Sequence, residues 1–171
     1  MFNVIYSQKN QVIHLKNERG IEEVIPCDSP SMPIKSPNSK SCIFISPYEM
    51  DSSRSLYQIN LETGEIEEVI PPSKENNVAK KALWLDDNRI LVIIGLAYGT
   101  VSLGGDLYIY NFGDNSLLPV IENESDESEI VDFEFNNELL RITIRTFIDD
   151  IKNQFKEEIR EFSIRDILEN N

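Results

Sequence analysis

The residues most able to do chemistry fall into a glycine-rich segment, an acidic run and one isolated histidine. The segment Gly95-Leu96-Ala97-Tyr98-Gly99-Thr100-Val101-Ser102-Leu103-Gly104-Gly105 is longer than the roughly two to five residues of an ordinary hairpin turn. Glycines let backbone N–H groups approach a ligand closely, which makes Tyr98, Gly99, Thr100, Ser102, Gly104, Gly105 and Asp106 the candidate ligand-binding residues. The segment has neither the Gly-Lys-Ser/Thr ending nor the GxGxxG spacing that would cradle a phosphate. The competing structural reading is a connector or a bulged pair of strands.

Residues 120–140 hold eight carboxylates, Glu122, Glu124, Asp126, Glu127, Glu129, Asp132, Glu134 and Glu138, and no Lys or Arg before Arg141. Their spacing is not that of a calcium loop, so a solvated acidic loop is expected. Asp132 and Glu134 alternate with Val131, Phe133 and Phe135, which puts both carboxylates on one side of a strand, facing a shared channel if that strand lines an axis. His14 is the single side chain whose ordinary pKa suits a general base near neutrality, but sister positions hold Gln58 and Ile109. No Gly-x-Ser-x-Gly elbow occurs, and no pattern pairs a serine or cysteine with that histidine. No catalytic residue, metal or cofactor is assigned.

These residues belong to a chain of 171, with 40% hydrophobic and 27% charged residues, a composition able to build a core and unlike that of a disordered chain. The length predicts one domain. A formal charge of −14 would repel a phosphate backbone, which argues against nucleic acid as a partner. The start, Met1-Phe2-Asn3-Val4-Ile5-Tyr6, does not read as a signal peptide, and the apolar stretch 90–97 is interrupted by Gly95 and too short to span a membrane. Cys27 and Cys42 form no CxxC pair and suit a reducing, cytoplasmic setting.

The elements that must position the candidates come from an internal repeat. Ile21-Glu22-Glu23-Val24-Ile25-Pro26 recurs as Ile66-Glu67-Glu68-Val69-Ile70-Pro71, with a weaker third copy at Leu117-Leu118-Pro119-Val120-Ile121. Upstream, Val12-Ile13-His14-Leu15 corresponds to Leu56-Tyr57-Gln58-Ile59 and to Leu107-Tyr108-Ile109-Tyr110, and 159–164 offers a fourth version. Short stretches of β-branched and aromatic residues separated by turn formers predict strands throughout. Units of this length with four antiparallel strands are the pattern of propeller blades. A meandering β-sandwich is the alternative.

Ser36-Pro37-Asn38-Ser39-Lys40, then Ile43-Phe44-Ile45-Ser46, then Leu56-Tyr57 and Thr63-Gly64-Glu65 resemble the TolB-type propeller repeat, which reads Ser-Pro-Asp-Gly-Lys, an apolar strand, Leu-Tyr and a Thr-Gly-Glu turn. The third unit departs, with Asp86-Asp87-Asn88 and Gly113-Asp114-Asn115 at its turns. Through Gly99-Thr100-Val101-Ser102-Leu103-Gly104-Gly105-Asp106-Leu107-Tyr108, and over most of its length, the chain is also similar to an uncharacterised family of small bacterial proteins classed as a domain of unknown function. The first resemblance implies a scaffold for partners, and the second implies no activity.

The expectation is therefore an all-β, β-propeller-like array of about four antiparallel blades in a single domain over 1–171, with units near 1–27, 32–72, 80–122 and 129–168. The first and last units are each short of a strand. Residues 165–171 are placed either as a cap on a compact ring, or at the end of an open array whose outer blades pair with a second copy. A monomer is favoured over a dimer. The expected role is a non-enzymatic binding or interaction module for a protein, peptide or small molecule, with neither nucleic acid nor membrane as partner. The alternative is a hydrolase or lyase using carboxylates near the propeller axis.

Overall fold

A computed structural model describes residues 1–98, 102–121, 125, 127–136 and 138–169. Four antiparallel sheets follow one another along the chain. The first contains β1 (Asn3–Ser7), β2 (Val12–Lys16) and β3 (Glu22–Val24). The second contains β4 (Ile34–Lys35), β5 (Ser41–Ser46), β6 (Ser55–Asn60) and β7 (Ile66–Ile70). In the third, β8 (Asn77–Trp84), β9 (Arg89–Leu96), β10 (Asp106–Asn111) and β11 (Ser116–Ile121) again pair in chain order. The fourth has β12 (Ser128–Phe135), β13 (Leu139–Phe147) and β14 (Phe155–Ser163), followed by the short helix α1 (Ile164–Glu169). This is the expected propeller-like array: two full four-stranded blades flanked by three-stranded ones.

The turns form where a short polar side chain can satisfy the backbone of the next two or three residues. Asn17 directly follows β2, and Asn60 and Asn111 are the last residues of β6 and β10. Their side-chain oxygens accept from Arg19 N at 3.0 Å, Glu62 N at 2.9 Å and Gly113 N at 2.9 Å. Asn38, Asp86 and Asn136 do the same between the first and second strands, accepting from Lys40 N at 2.9 Å, Asn88 N at 2.9 Å and Glu138 N at 3.1 Å. Gly64 turns the second unit with φ +83°, and a β-carbon there would meet the ring of Phe2 at 2.9 Å. Glycine is required at that position for both reasons.

Cohesion comes from apolar layers between neighbouring sheets. Ile13 and Leu15 of the first sheet pack against Cys42, Phe44 and Ile59 of the second. Ile43, Ile45 and Leu56 meet Ala82, Trp84, Val92 and Tyr110 of the third, where Trp84 Nε1 also donates to the carbonyl of Ile34 at 2.8 Å. Leu91, Ile93 and Leu107 meet Phe133, Leu140 and Ile142 of the fourth, and Ile164, Ile167 and Leu168 bring α1 into the same layer. Each such side chain contributes about 1.5–3 kcal/mol of burial free energy. Among the described residues no comparable layer joins the fourth sheet to the first, so the array is open.

Candidate functional site

The inner strands carry two irregularities. In the pairing of β8 with β9, Ala79 is opposite Ile94 and Lys81 is opposite Ile93, which leaves Lys80 as an extra residue. In β12 the same displacement leaves Val131 extra between Ile130 and Asp132. A bulge of this kind re-aims side chains that strict alternation would send to opposite faces. Lys80 and Lys81 both line one cavity, as do Val131 and Asp132.

That cavity, about 600 Å³, lies among the inner strands of the second, third and fourth sheets. Met32, Ile34, Ile45, Leu56, Ala82 and Leu103 give it apolar walls. Its charged groups are Arg54, Lys80, Lys81, Asp51 and Asp132. Lys81 is ion-paired with Asp132, and its ammonium lies 5.1 Å from the centre of the Phe133 ring.

Arg54 is 9% exposed, just before β6. Its Nη2 donates to the carbonyl of Glu49 at 2.7 Å and its guanidinium carbon lies 5.7 Å from the centre of the Tyr48 ring. Its Nε is buried and has no hydrogen-bond partner among the described residues. Burial pulls the guanidinium below the ordinary arginine pKa, with Tyr48 and Asp51 acting in the opposite direction. Lys80, half-buried, donates to the carbonyl of Ser102 at 3.3 Å. Burial and then the charge of Arg54 hold its amine below the usual lysine value, against the pull of Glu129 and Asp51.

Residues 102–105 of the glycine-rich segment lie at the seam between the third and fourth sheets. Gly105 and Ile130 exchange backbone hydrogen bonds, at 3.1 Å from Gly105 N and 2.9 Å from Ile130 N. Glu129, 4% exposed, accepts from Ser102 Oγ at 2.8 Å, Gly104 N at 3.1 Å and Leu103 N at 3.3 Å. A β-carbon would lie 2.2 Å from Ile130 O at Gly104 and 2.0 Å from Ile94 O at Gly105, so backbone crowding accounts for both glycines.

Of the residues expected to bind a ligand, Gly99 and Thr100 lie outside the described residues. Tyr98 is 53% exposed. Ser102, Gly104, Gly105 and Asp106 line a second groove of about 640 Å³ between the third and fourth sheets, and of these only Ser102 also lines the first cavity. The acidic residues are dispersed. Asp132 faces the cavity, Glu134 pairs with Arg141 at 2.9 Å, and Glu122, Glu124 and Asp126 lie outside the described residues. His14 Nδ1 is 2.8 Å from Glu22 on the first sheet, and His14 lines neither cavity. Arg54 and the bulged Lys80 are the residues that sequence reasoning did not single out.

A family model for a domain of unknown function, DUF4652, matches residues 70–163, just over half of the chain. The chain belongs to the DUF4652 family. The match begins at the last residue of β7 and takes in the third and fourth sheets, including Lys80 and the glycine-rich seam. No curated protein matches this DUF4652 chain significantly in sequence. Among solved structures it is similar to a protein of Clostridium novyi NT described as a conserved lipoprotein, with a TM-score of 0.74 and 21% identity over 91% of this chain and 98% of that one. The β-propeller domain of the trilobed protease from Pyrococcus furiosus follows its path with a TM-score of 0.55 and 13% identity, over 94% of this chain and 52% of that one. A puromycin-hydrolysing peptidase of Mycobacterium tuberculosis does so with a TM-score of 0.60 and 12% identity, over 97% of this chain and 27% of that one. At these identities the likeness establishes the propeller fold and nothing about activity. Among the described residues of the DUF4652 chain, no helix is long and apolar enough to cross a membrane.

Proposed function

We propose that the chain is a non-enzymatic binding module and that its ligand is a small molecule held in the cavity among the second, third and fourth sheets. The observation that carries this reading is the cavity itself. Its volume of about 600 Å³ falls within the roughly 300–1,000 Å³ of small-molecule sites, and its walls are apolar with a few polar groups among them. Asp132, the carboxylate that an axial hydrolase or lyase would draw on, is engaged by Lys81. That engagement favours binding over chemistry.

Three methionines supply the test. Met32 and Met50 line the cavity and Met1 does not. With methionine methyl groups isotopically labelled, 1-octanol is expected to shift the Met32 and Met50 signals saturably and leave Met1 in place. Leu103→Trp, at an exposed position on the cavity rim, is expected to weaken that response at least tenfold. Equal shifts at all three methionines, or none at Met32 and Met50, would remove the cavity from consideration. For location, the two free thiols suit the cytoplasm, and recovery of the native protein in an extracytoplasmic fraction would overturn that assignment.

A further inference from the structure

We infer that the ligand is an amphipathic anion, its apolar body lying against Met32, Ile45 and Leu56 and its carboxylate or phosphate head held by Arg54 and Lys80. This rests on the cavity being the binding site proposed above, and it adds the ligand's chemical class.

The charge distribution is the first ground. The chain carries a net charge of −14, yet three of its sixteen Lys and Arg residues converge on one apolar cavity. Lys81 has its counter-ion in Asp132. Glu129, close enough to act on Lys80, is engaged by Ser102, Leu103 and Gly104. Asp51 acts on both Arg54 and Lys80, but it is exposed. The charge of Arg54 acts on Lys80 more strongly than either acid does. Two cations on the wall of one cavity disfavour one another, and an anion between them relieves both.

The second ground is Arg54 itself, 9% exposed on the cavity wall, with a guanidinium whose hydrogen bonds the described residues leave incomplete. Guanidinium groups match the planar, two-oxygen geometry of carboxylate and phosphate, and such charge-assisted bonds are stronger than neutral ones. Glu49 O and the Tyr48 ring hold the side chain, so that little of its freedom remains to be lost on binding. The third ground is that Lys80, the extra residue of the bulge in β8, lines this wall, bulges being common beside binding sites. The apolar lining argues against a bare inorganic ion and for a head group with a hydrocarbon body attached.

The experiment compares octanoate, octyl phosphate and 1-octanol, which share one body, by the Met32 and Met50 methyl shifts at neutral pH. At least one of the two anions is expected to bind ten times or more tightly than octanol, and the tighter of them identifies the head group. Arg54→Gln is expected to bring that anion to within threefold of octanol, and Arg54→Lys to restore part of the preference. Parent-like methyl positions of the unliganded variants report that they are folded. If octanol and both anions bind alike, the anion assignment fails while the binding reading survives. If none shifts Met32 or Met50, both fail. If the preference for an anion persists in Arg54→Gln and in Lys80→Gln, the charge lies elsewhere and the assignment is wrong.

Discussion

The amide of Gly104 donates to Glu129 Oε2 at 3.1 Å, so a carboxylate on the first strand of the fourth sheet fixes the segment that leads into β10 of the third. Glu129 is 4% exposed and also accepts from Ser102 Oγ and Leu103 N. Its loss leaves buried donors without an acceptor, which costs roughly 1–3 kcal/mol. Glu129→Ala is therefore expected to lower stability in urea by that amount, and Glu129→Gln, which keeps one acceptor oxygen, by less. Amide exchange at Gly104 should accelerate in the alanine variant. Equal stability of all three proteins would show that the seam does not depend on this carboxylate.

At the same seam, three glycines are set by backbone contact. A β-carbon on Gly95 would stand 2.0 Å from Gly104 O, and one on Gly105 would stand 2.0 Å from Ile94 O, whereas at Gly113 the nearest atom is the Asn111 side-chain oxygen at 3.2 Å. Backbone cannot swing aside as a side chain can. Gly95→Ala and Gly105→Ala are each expected to cost about 1–3 kcal/mol or more through overpacking. Gly113→Ala should stay within roughly 0.5 kcal/mol of the parent. Thermal midpoints of the three variants decide the matter, and a tolerated Gly105→Ala would refute the contact.

The repeat made the strands legible because it is a local pattern. Ile66-Glu67-Glu68-Val69-Ile70 is β7, its copy at 21–25 contains β3, and 117–121 lies within β11. Lys80 and Lys81 are not legible as cavity residues, because nothing in Lys80-Lys81-Ala82-Leu83 announces the bulge in β8 or the sheets packed around it. Arg54 was equally silent, because its burial depends on Tyr48 and Glu49 folding back over it. The glycine-rich segment was visible as an anomaly. Its causes, the approach of Gly95 to Gly104 and of Gly105 to Ile94 beside the third sheet and of Gly104 to Ile130 of the fourth, are tertiary contacts that the local sequence does not show.

The two cysteines differ in chemistry. Cys42 is fully buried, and burial pushes its thiol up to about 12. Cys27 is partly buried, and burial with the neighbouring Asp28 raises its thiol too. Thiol reagents attack the thiolate. In the native protein at pH 8, Cys27 is expected to react slowly and Cys42 only as fast as the protein unfolds, with both reacting promptly in denaturant. Rapid native labelling of Cys42 would show that the layer between the first and second sheets opens.

Lys80 should reveal its cost in stability. Its amine is held low by burial and by Arg54, with Glu129 and Asp51 only partly opposing them. At neutral pH the ammonium is carried in both the folded and the unfolded chain, and the folded one bears the penalty. As pH rises past the lowered native value towards the ordinary lysine value of about 10.4, the native state sheds its proton first, so the penalty fades. Lys80→Gln is therefore expected to be more stable than the parent at pH 7. The gap should narrow as the pH approaches 10. Urea midpoints at the two pH values measure it. A variant less stable than the parent at pH 7 would mean that the bond to Ser102 O outweighs the charge, and that Lys80 is a structural residue.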